Sequence, residues 1–276
     1  MNYKNLYFFS HPSSSQIILY AGIILSLWLA ESIILSTTIR NKWKHTLTNL
    51  LFILTALPVQ LFMTIFVLLV SAWVVTNHWG ILYLLPHPES ILVKYLLGFI
   101  LLDLCEYVYH VIMHKVKPLW KFHLVHHSDN DLDVSTTVRE HPVETCLRMC
   151  FLILWVYLVG ASFGVLLLRQ TIQTIANITS HTKFRLSERT HKVISLLFIT
   201  PNLHHVHHHY ELPFTDCNYG DVLSIWDRIF KTYSKPMPAD RITYGIDSHM
   251  DKVENTKFLK ILQSPFKTPA GKRGKQ

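Results

Sequence analysis

Charge is scarce in this sequence. Asp, Glu, Lys and Arg make up 16% of its 276 residues, against about a quarter in an ordinary soluble domain. Half of the residues are hydrophobic and the mean hydropathy is +0.24. The deficit argues for lipid as part of the solvent, and for one membrane-embedded unit over two soluble domains of the same total length. Cysteine is scarce as well: Cys105, Cys146, Cys150 and Cys217 form no CxxC pair, so no disulfide framework is implied. No GxGxxG fingerprint for a flavin or nicotinamide is present. No cleavable signal peptide is evident: the first long apolar run starts near Gln16, with no strongly basic stretch before it and no clear small-residue cleavage site.

The formal charge is +8 and the pI about 9.3. Lysine and arginine collect in loops and in the terminal stretch Lys267–Lys275, beside apolar spans. That pattern fits the positive-inside bias and contact with anionic headgroups, and sets nucleic acid aside. A bilayer core of about 30 Å takes roughly 20 apolar residues in a helix. Ile17–Leu35 meets that length with Glu31 as its one charge, and no role is assigned to Glu31. Leu50–Val75 is a second run, interrupted by Pro58, where a kink is expected. Ile91–Val111 is a third, and Cys146–Leu168 a fourth, broken around Gly160–Gly164. The loop Arg40–Lys44 is basic and the loop Thr76–Ser90 has no lysine or arginine, which puts the first on the cytoplasmic side and the second outside. The third helix then delivers His110 and His114 to the cytoplasmic face. The stretch from Val143 to Ser180 leaves and returns, either as two helices turning near Gly160–Ser162 or as a shallow hairpin. From Lys183 onward the chain reads as polar with short helices, and Lys257–Gln276 as a flexible tail.

There are 18 histidines, most of them between His110 and His209. Three groups have meaningful spacing: His110-x3-His114, His123-x2-His126-His127 and His204-x2-His207-His208. Residues three and four apart share a helix face, so His110 and His114 can chelate one metal. Within each HxxHH group, one neighbour can serve one metal while the next serves another. Imidazole suits zinc, copper, iron and nickel. A structural zinc site needs four ligands and usually includes cysteine, so this excess of histidine fits a redox-active iron pair better. Asp103, Glu106, His110 and His114 form one polar stripe on an otherwise apolar helix. Intramembrane carboxylates tend to mark function, and a carboxylate behind a ligating histidine holds its tautomer and orientation. Gln170, Gln173, Asn177 and His181 form a similar stripe that would face the first. His205 and His209 are extra members of the third group, read as supporting or exposed residues. His11, His45, His78, His87, His191 and His249 read as surface or interface residues.

On these residues the sequence resembles the fatty acid hydroxylase and sterol desaturase superfamily, and more narrowly its alkylglycerol monooxygenase-like branch. Three flanking segments add to the histidine groups: Arg139-Glu-His-Pro-Val-Glu144, Thr200-Pro-Asn202, and Asn218-Tyr-Gly220 followed by Trp226-Asp227-Arg-Ile-Phe230. The resemblance implies an all-α integral membrane protein, with about four transmembrane or membrane-embedded helices and a cytosolic di-metal cap. It implies N-terminal transmembrane helices over 1–90, a catalytic domain over 91–235 and a C-terminal tail over 236–276. By position, His110, His114, His123, His126, His127, His181, His204, His207 and His208 carry over as ligands. His141 carries over as a ligand or a supporting residue, and Asp227 as a possible supporting residue. Many relatives have a histidine where this chain has Asn177, which could coordinate weakly or only hydrogen-bond.

The expected activity is O2-dependent hydroxylation or desaturation of a membrane lipid (fatty acyl, sterol or ether lipid) by two irons, with electrons from an external donor. The rival readings are a histidine-rich metal transporter or sensor, whose ligands should line a mid-bilayer pathway, and a non-catalytic metal-binding scaffold. A multi-pass protein of the bacterial inner membrane is expected from the compact chain without an evident retention signal; the endoplasmic reticulum is the eukaryotic counterpart. The histidine cluster would face the cytoplasm.

Overall fold

A computed structural model describes residues 39–85, 90–247 and 254–267 of the chain. The run Ile17–Leu35, with Glu31, and the histidines His11, His87 and His249 lie outside the described residues. Among the described residues the protein is helical, with no strand and two isolated bridges, Phe198 to Leu223 and His209 to Tyr244.

The long elements are α1 (Ile39–Thr76), α3 (Ile91–Lys115), α5 (Pro142–Val159) and α6 (Phe163–Ser180); α2 (Ile81–Leu84) is a single turn between α1 and α3. Helix α4 (Lys117–His127) follows α3 after one residue. Beyond α6 come the short helices α7 (Glu188–Ile194), α8 (Pro201–His207), α9 (Ile225–Ile229) and α10 (Phe258–Gln263).

With 38 residues, α1 is about 57 Å long, nearly twice a bilayer core. Its two ends differ accordingly. Lys42, His45, Thr46 and Asn49 are buried, whereas Leu54 is 71% and Leu61 61% exposed. Arg40–Lys44, expected as a loop, is the helical start of α1, which carries His45 and Asn49 to buried partners at Asp129. Pro58 sits inside α1 without ending it. Among the described residues two helical stretches are long and apolar enough to cross a membrane, Lys42–Leu84, which is α1 with α2, and Pro142–Val159. Only 6% of the most apolar window of the first is buried in the protein, the reverse of a soluble core helix.

The break expected near Gly160 is a tight turn. Gly160 adopts φ 77°, a left-handed C-cap that favours glycine. Ser162 then caps α6, its hydroxyl accepting from the Val165 amide. Both helices have 18 residues, and with α1 and α3 they enclose a core that includes Val67, Leu102, Met149, Val156 and Val165.

Two expectations of disorder or exposure need correction. The stretch read as a flexible tail is ordered through residue 267: Ile261 of α10 packs on Phe52 of α1 and Val125 of α4. His45 and His191 are buried rather than superficial. His45 Nε2 meets Asp129 at 2.8 Å, and the Nδ1 of His191 lies 3.0 Å from the Thr200 hydroxyl. His78 is exposed, as read from the sequence.

Candidate metal centre

Helix α3 ends one residue before α4 begins, which folds α4 back so that its histidines meet those of α3. His123 and His127, four apart on α4, join His110 and His114 of α3, while His126 points elsewhere. Helix α8 is divided in the same way: His207 joins the α3 side, and His204 with His208 joins His126. The result is two groups, His110, His114, His123, His127 and His207, and His126, His181, His204 and His208. Within each, the nitrogens nearest the centre lie within 4.8 Å of one another. The groups adjoin, since the rings of His127 and His208 stack at 4.4 Å.

The outer nitrogens fix the rings. His110 Nδ1 donates to the Tyr219 carbonyl at 2.8 Å, His207 Nδ1 to the Cys217 carbonyl at 2.7 Å, and His181 Nδ1 to the Asn177 carbonyl at 2.8 Å. His123 Nδ1 meets Glu144 Oε1 at 2.5 Å. Each such bond assigns the proton to Nδ1 and leaves Nε2 as a lone pair aimed inward. Yet His110 and His123 bring these Nε2 atoms within 3.2 Å, and His181 places its Nε2 3.2 Å from that of His126 and 3.0 Å from that of His204. For His110 and His123, both holding the proton on Nδ1, these are facing lone pairs, which repel unless a cation lies between them. Protons do not solve the problem, because burial and the neighbouring rings disfavour imidazolium. Burial pushes His123 and His181 down to about 4, and burial with the neighbouring rings also holds His126, His127, His204, His207 and His208 well below the ordinary imidazole value. Neutral imidazole is the ligand form. His114 Nε2, both nitrogens of His127 and His207 Nε2 are buried without a hydrogen-bond partner. The donor set fits two cations.

The carboxylates are distributed differently from the sequence expectation. Asp103 accepts from the Leu223 amide and the Trp226 indole, tying α3 to α9, and Glu106 pairs with Arg169 at 2.7 Å. Neither bonds a histidine. That part falls to Glu144; Asp216 lies 3.4 Å from His114 Nδ1 without a hydrogen bond to it. Asp227 accepts from the amides of Tyr219 and Gly220 and from Thr232, so it holds the backbone whose carbonyl orients His110.

His141 belongs to neither group: its Nδ1 caps α5 by accepting from the Val143 amide, and its Nε2 lies 3.1 Å from the Leu262 carbonyl. His205 is buried between the Thr182 carbonyl and the Tyr244 hydroxyl, and His209 Nδ1 accepts from the Thr243 amide; neither joins a group. Asn177 lies beside the second group, where its backbone carbonyl serves His181. The sequence reading missed Glu144 as a histidine partner, and the Cys217 and Tyr219 carbonyls. The segment containing Glu144 was noticed, but nothing in it pointed to His123.

A cavity of about 380 Å³ opens onto both groups, reached by His110 and His123 of the first and by His126, His181 and His204 of the second. The two polar stripes face each other across it, with Glu106 and His110 on one wall and Gln170, Gln173 and Asn177 on the other.

The fatty acid hydroxylase family model matches residues 95–232, which span every histidine of both groups. The chain is 31% identical over 181 residues to the ornithine lipid hydroxylase OlsE of Rhizobium tropici, covering 66% of this chain and 53% of that protein. It is 28% identical over 167 residues to the alkylglycerol monooxygenase of Homo sapiens, covering 58% and 34%. With the cholesterol 25-hydroxylase of Homo sapiens it shares 27% over 154 residues, covering 54% and 56%. The matches thus span about half or less of these relatives' lengths. No solved structure matches the chain.

Proposed function

The chain belongs to the fatty acid hydroxylase family, and from that premise we propose that it is a membrane oxidoreductase that hydroxylates a lipid with O2 at a pair of irons. The observation that carries the reading is that two adjoining groups of neutral, pre-oriented histidines face one cavity. The first group would hold one ion and the second the other. Iron bound there would supply the oxidation of an unactivated C–H bond, drawing electrons from an external donor.

The chain's own residues prepare that chemistry. Glu144 and the carbonyls of Tyr219, Cys217 and Asn177 hold four rings in one tautomer. Asp227 and Asp103 clamp the strand-like segment around Tyr219 onto α3 and α9. Asn177 stands where a side-chain ligand to the second ion would be expected from the resemblance. We read it as a hydrogen-bonding group on the cavity wall. The exposed apolar length of α1 and the hairpin of α5 and α6 would seat the protein in the bilayer, with the histidines near the cytoplasmic boundary where a lipid enters without crossing water.

Hydroxylation of a lipid is chosen because relatives named for three lipid oxygenations, on ornithine lipid, alkylglycerol and cholesterol, align with this region. The test is metal content of detergent-purified protein expressed with ample iron, followed by lipid mass spectrometry of the expressing cells. About two irons per chain, with a new oxygenated lipid that disappears in a His126→Ala, His207→Ala double variant, is expected. A single metal indifferent to those histidines, with no oxygenated lipid, would move the transporter and scaffold readings ahead.

A further inference from the structure

Resting on the cavity as the substrate site, we propose that what it holds against the histidines is a lipid head bearing hydrogen-bond donors, an ammonium or hydroxyl group, so that the oxidised carbon lies in or beside the head and not in mid-chain. The polarity of the walls carries this. Among the lining residues are Glu144, bonded to His123, and Gln173, only 4% and 5% exposed. Glu144 Oε2, Gln173 Oε1 and Asp221 Oδ2 are buried there with no hydrogen-bond partner, and all three residues line the cavity. The charge partners around them are already committed: Arg148 is held by Glu140, Arg169 by Glu106, and the other oxygen of Glu144 by His123. Acceptors are left over, and a buried acceptor without a donor is unfavourable. A ligand that brings N–H or O–H groups supplies what is missing, whereas a methylene chain would bury the three oxygens against hydrocarbon.

The apolar lining belongs to a different helix. It comes from Ile53, Ala56 and Leu57 of α1, and Leu57 is 44% exposed, next to Leu54 and Leu61 on the outer face of that helix. An acyl tail would leave along this side into the bilayer. Oxidation in the middle of a chain needs apolar walls at the metals, where this cavity has Glu144 bonded to His123. The volume agrees: about 380 Å³ is near the lower end of the roughly 300–1,000 Å³ of small-ligand pockets, room for a head and its nearest carbons and not for a two-chain lipid.

The test uses the full-length, metal-replete protein in detergent and three lipids of equal chain length: one with an amino head, one with a glycerol head and a fatty acid methyl ester. Binding is read by thermal shift, independently of turnover, and the site of oxygenation by tandem mass spectrometry. Selective stabilisation by one or both headed lipids is expected, with the added oxygen on the head-side fragment. Gln173→Leu should weaken that binding about ten-fold or more with metal content unchanged. If Asp221→Asn weakens the amino lipid alone, the donor is an ammonium; if Gln173→Leu acts on the glycerol lipid and Asp221→Asn does not, it is a hydroxyl. Equal binding of the methyl ester, no binding of any headed lipid, or oxygen on the acyl fragment overturns the proposal while leaving lipid oxidation intact. Selective binding of headed lipids without any oxidation would uphold the head site and count against the hydroxylase reading instead.

Discussion

His123 has little freedom in this centre. One nitrogen is committed to Glu144 and the other faces His110, while burial keeps the ring neutral. Glu144 is therefore a positioning residue, and its removal should act on the metal through His123. Glu144→Ala is expected to weaken metal binding in the first group by about 10–100-fold, as loss of such partners does elsewhere, while the second group keeps its ion. Glu144→Gln, whose carbonyl can still accept from Nδ1, should recover most of it. Competition against a chelator of known affinity measures both. Asp227 acts one step further out. Asp227→Ala leaves the buried amides of Tyr219 and Gly220 without their acceptor, at about 1–3 kcal/mol each, and thermal unfolding in detergent should show a clear loss of stability. A variant as stable as the parent would mean that the loop holds Tyr219 without it.

At this scale the histidines were legible because ligand spacing is a side-chain pattern: three- and four-residue intervals put rings on shared faces. Their partners were less so. Three are backbone carbonyls, which every residue has, and Glu144 reaches His123 only through the packing of α5 on α4. The Asp103 and Glu106 stripe was visible, but its use as a clamp on Trp226 and Arg169 depends on elements distant in sequence.

Among elements, the hairpin of α5 and α6 depends on one left-handed residue. Gly160 has φ 77°, and a Cβ there would run into the Trp79 carbonyl and press on Tyr83. Gly160→Ala is expected to cost about 1–2 kcal/mol for the conformation alone, and more for the contact with α2's flank. Thermal melts should fall accordingly, with metal content per folded chain unchanged because the histidines lie at the other end of both helices. The turn itself was readable from glycine in an apolar run. The start of α1 was not: Arg40–Lys44 has the composition of a loop and becomes helix because His45 and Asn49, just beyond it, find buried partners in the cap. Arg139 is central there. Fully buried, it donates to the Val125 carbonyl, the Ser128 hydroxyl and Asn49 Oδ1, so α1 and α4 are joined through one guanidinium. The tail misreading has the same origin, since α10 is short and amphipathic and owes its order to Phe52 and Val125.

For the whole molecule, the division into an exposed apolar shaft and a polar cap means that folding and metal binding are coupled. The cap gathers nine histidines, seven of them buried, whose inner nitrogens face each other, an arrangement favourable with cations among them. A ligand present at about 100 times its dissociation constant stabilises the folded state by roughly 2.7 kcal/mol, so chelation should lower the melting temperature in a metal-dependent and reversible way. The two groups differ in which variants should matter. His207 lies in the first group and His204 in the second, on one short helix and both buried, so mutations there disturb the fold similarly but the metals differently. His207→Ala and His204→Ala should each bring the metal content from about two per chain toward one, and the double variant toward none. Chelation should then shift the melting temperature of each single variant by less than it shifts the parent. If either single change empties both positions, the ions bind as one cooperative unit and the stacked pair His127 and His208 is the contact that couples them. If neither change lowers the metal count, the two groups are not where the ions reside.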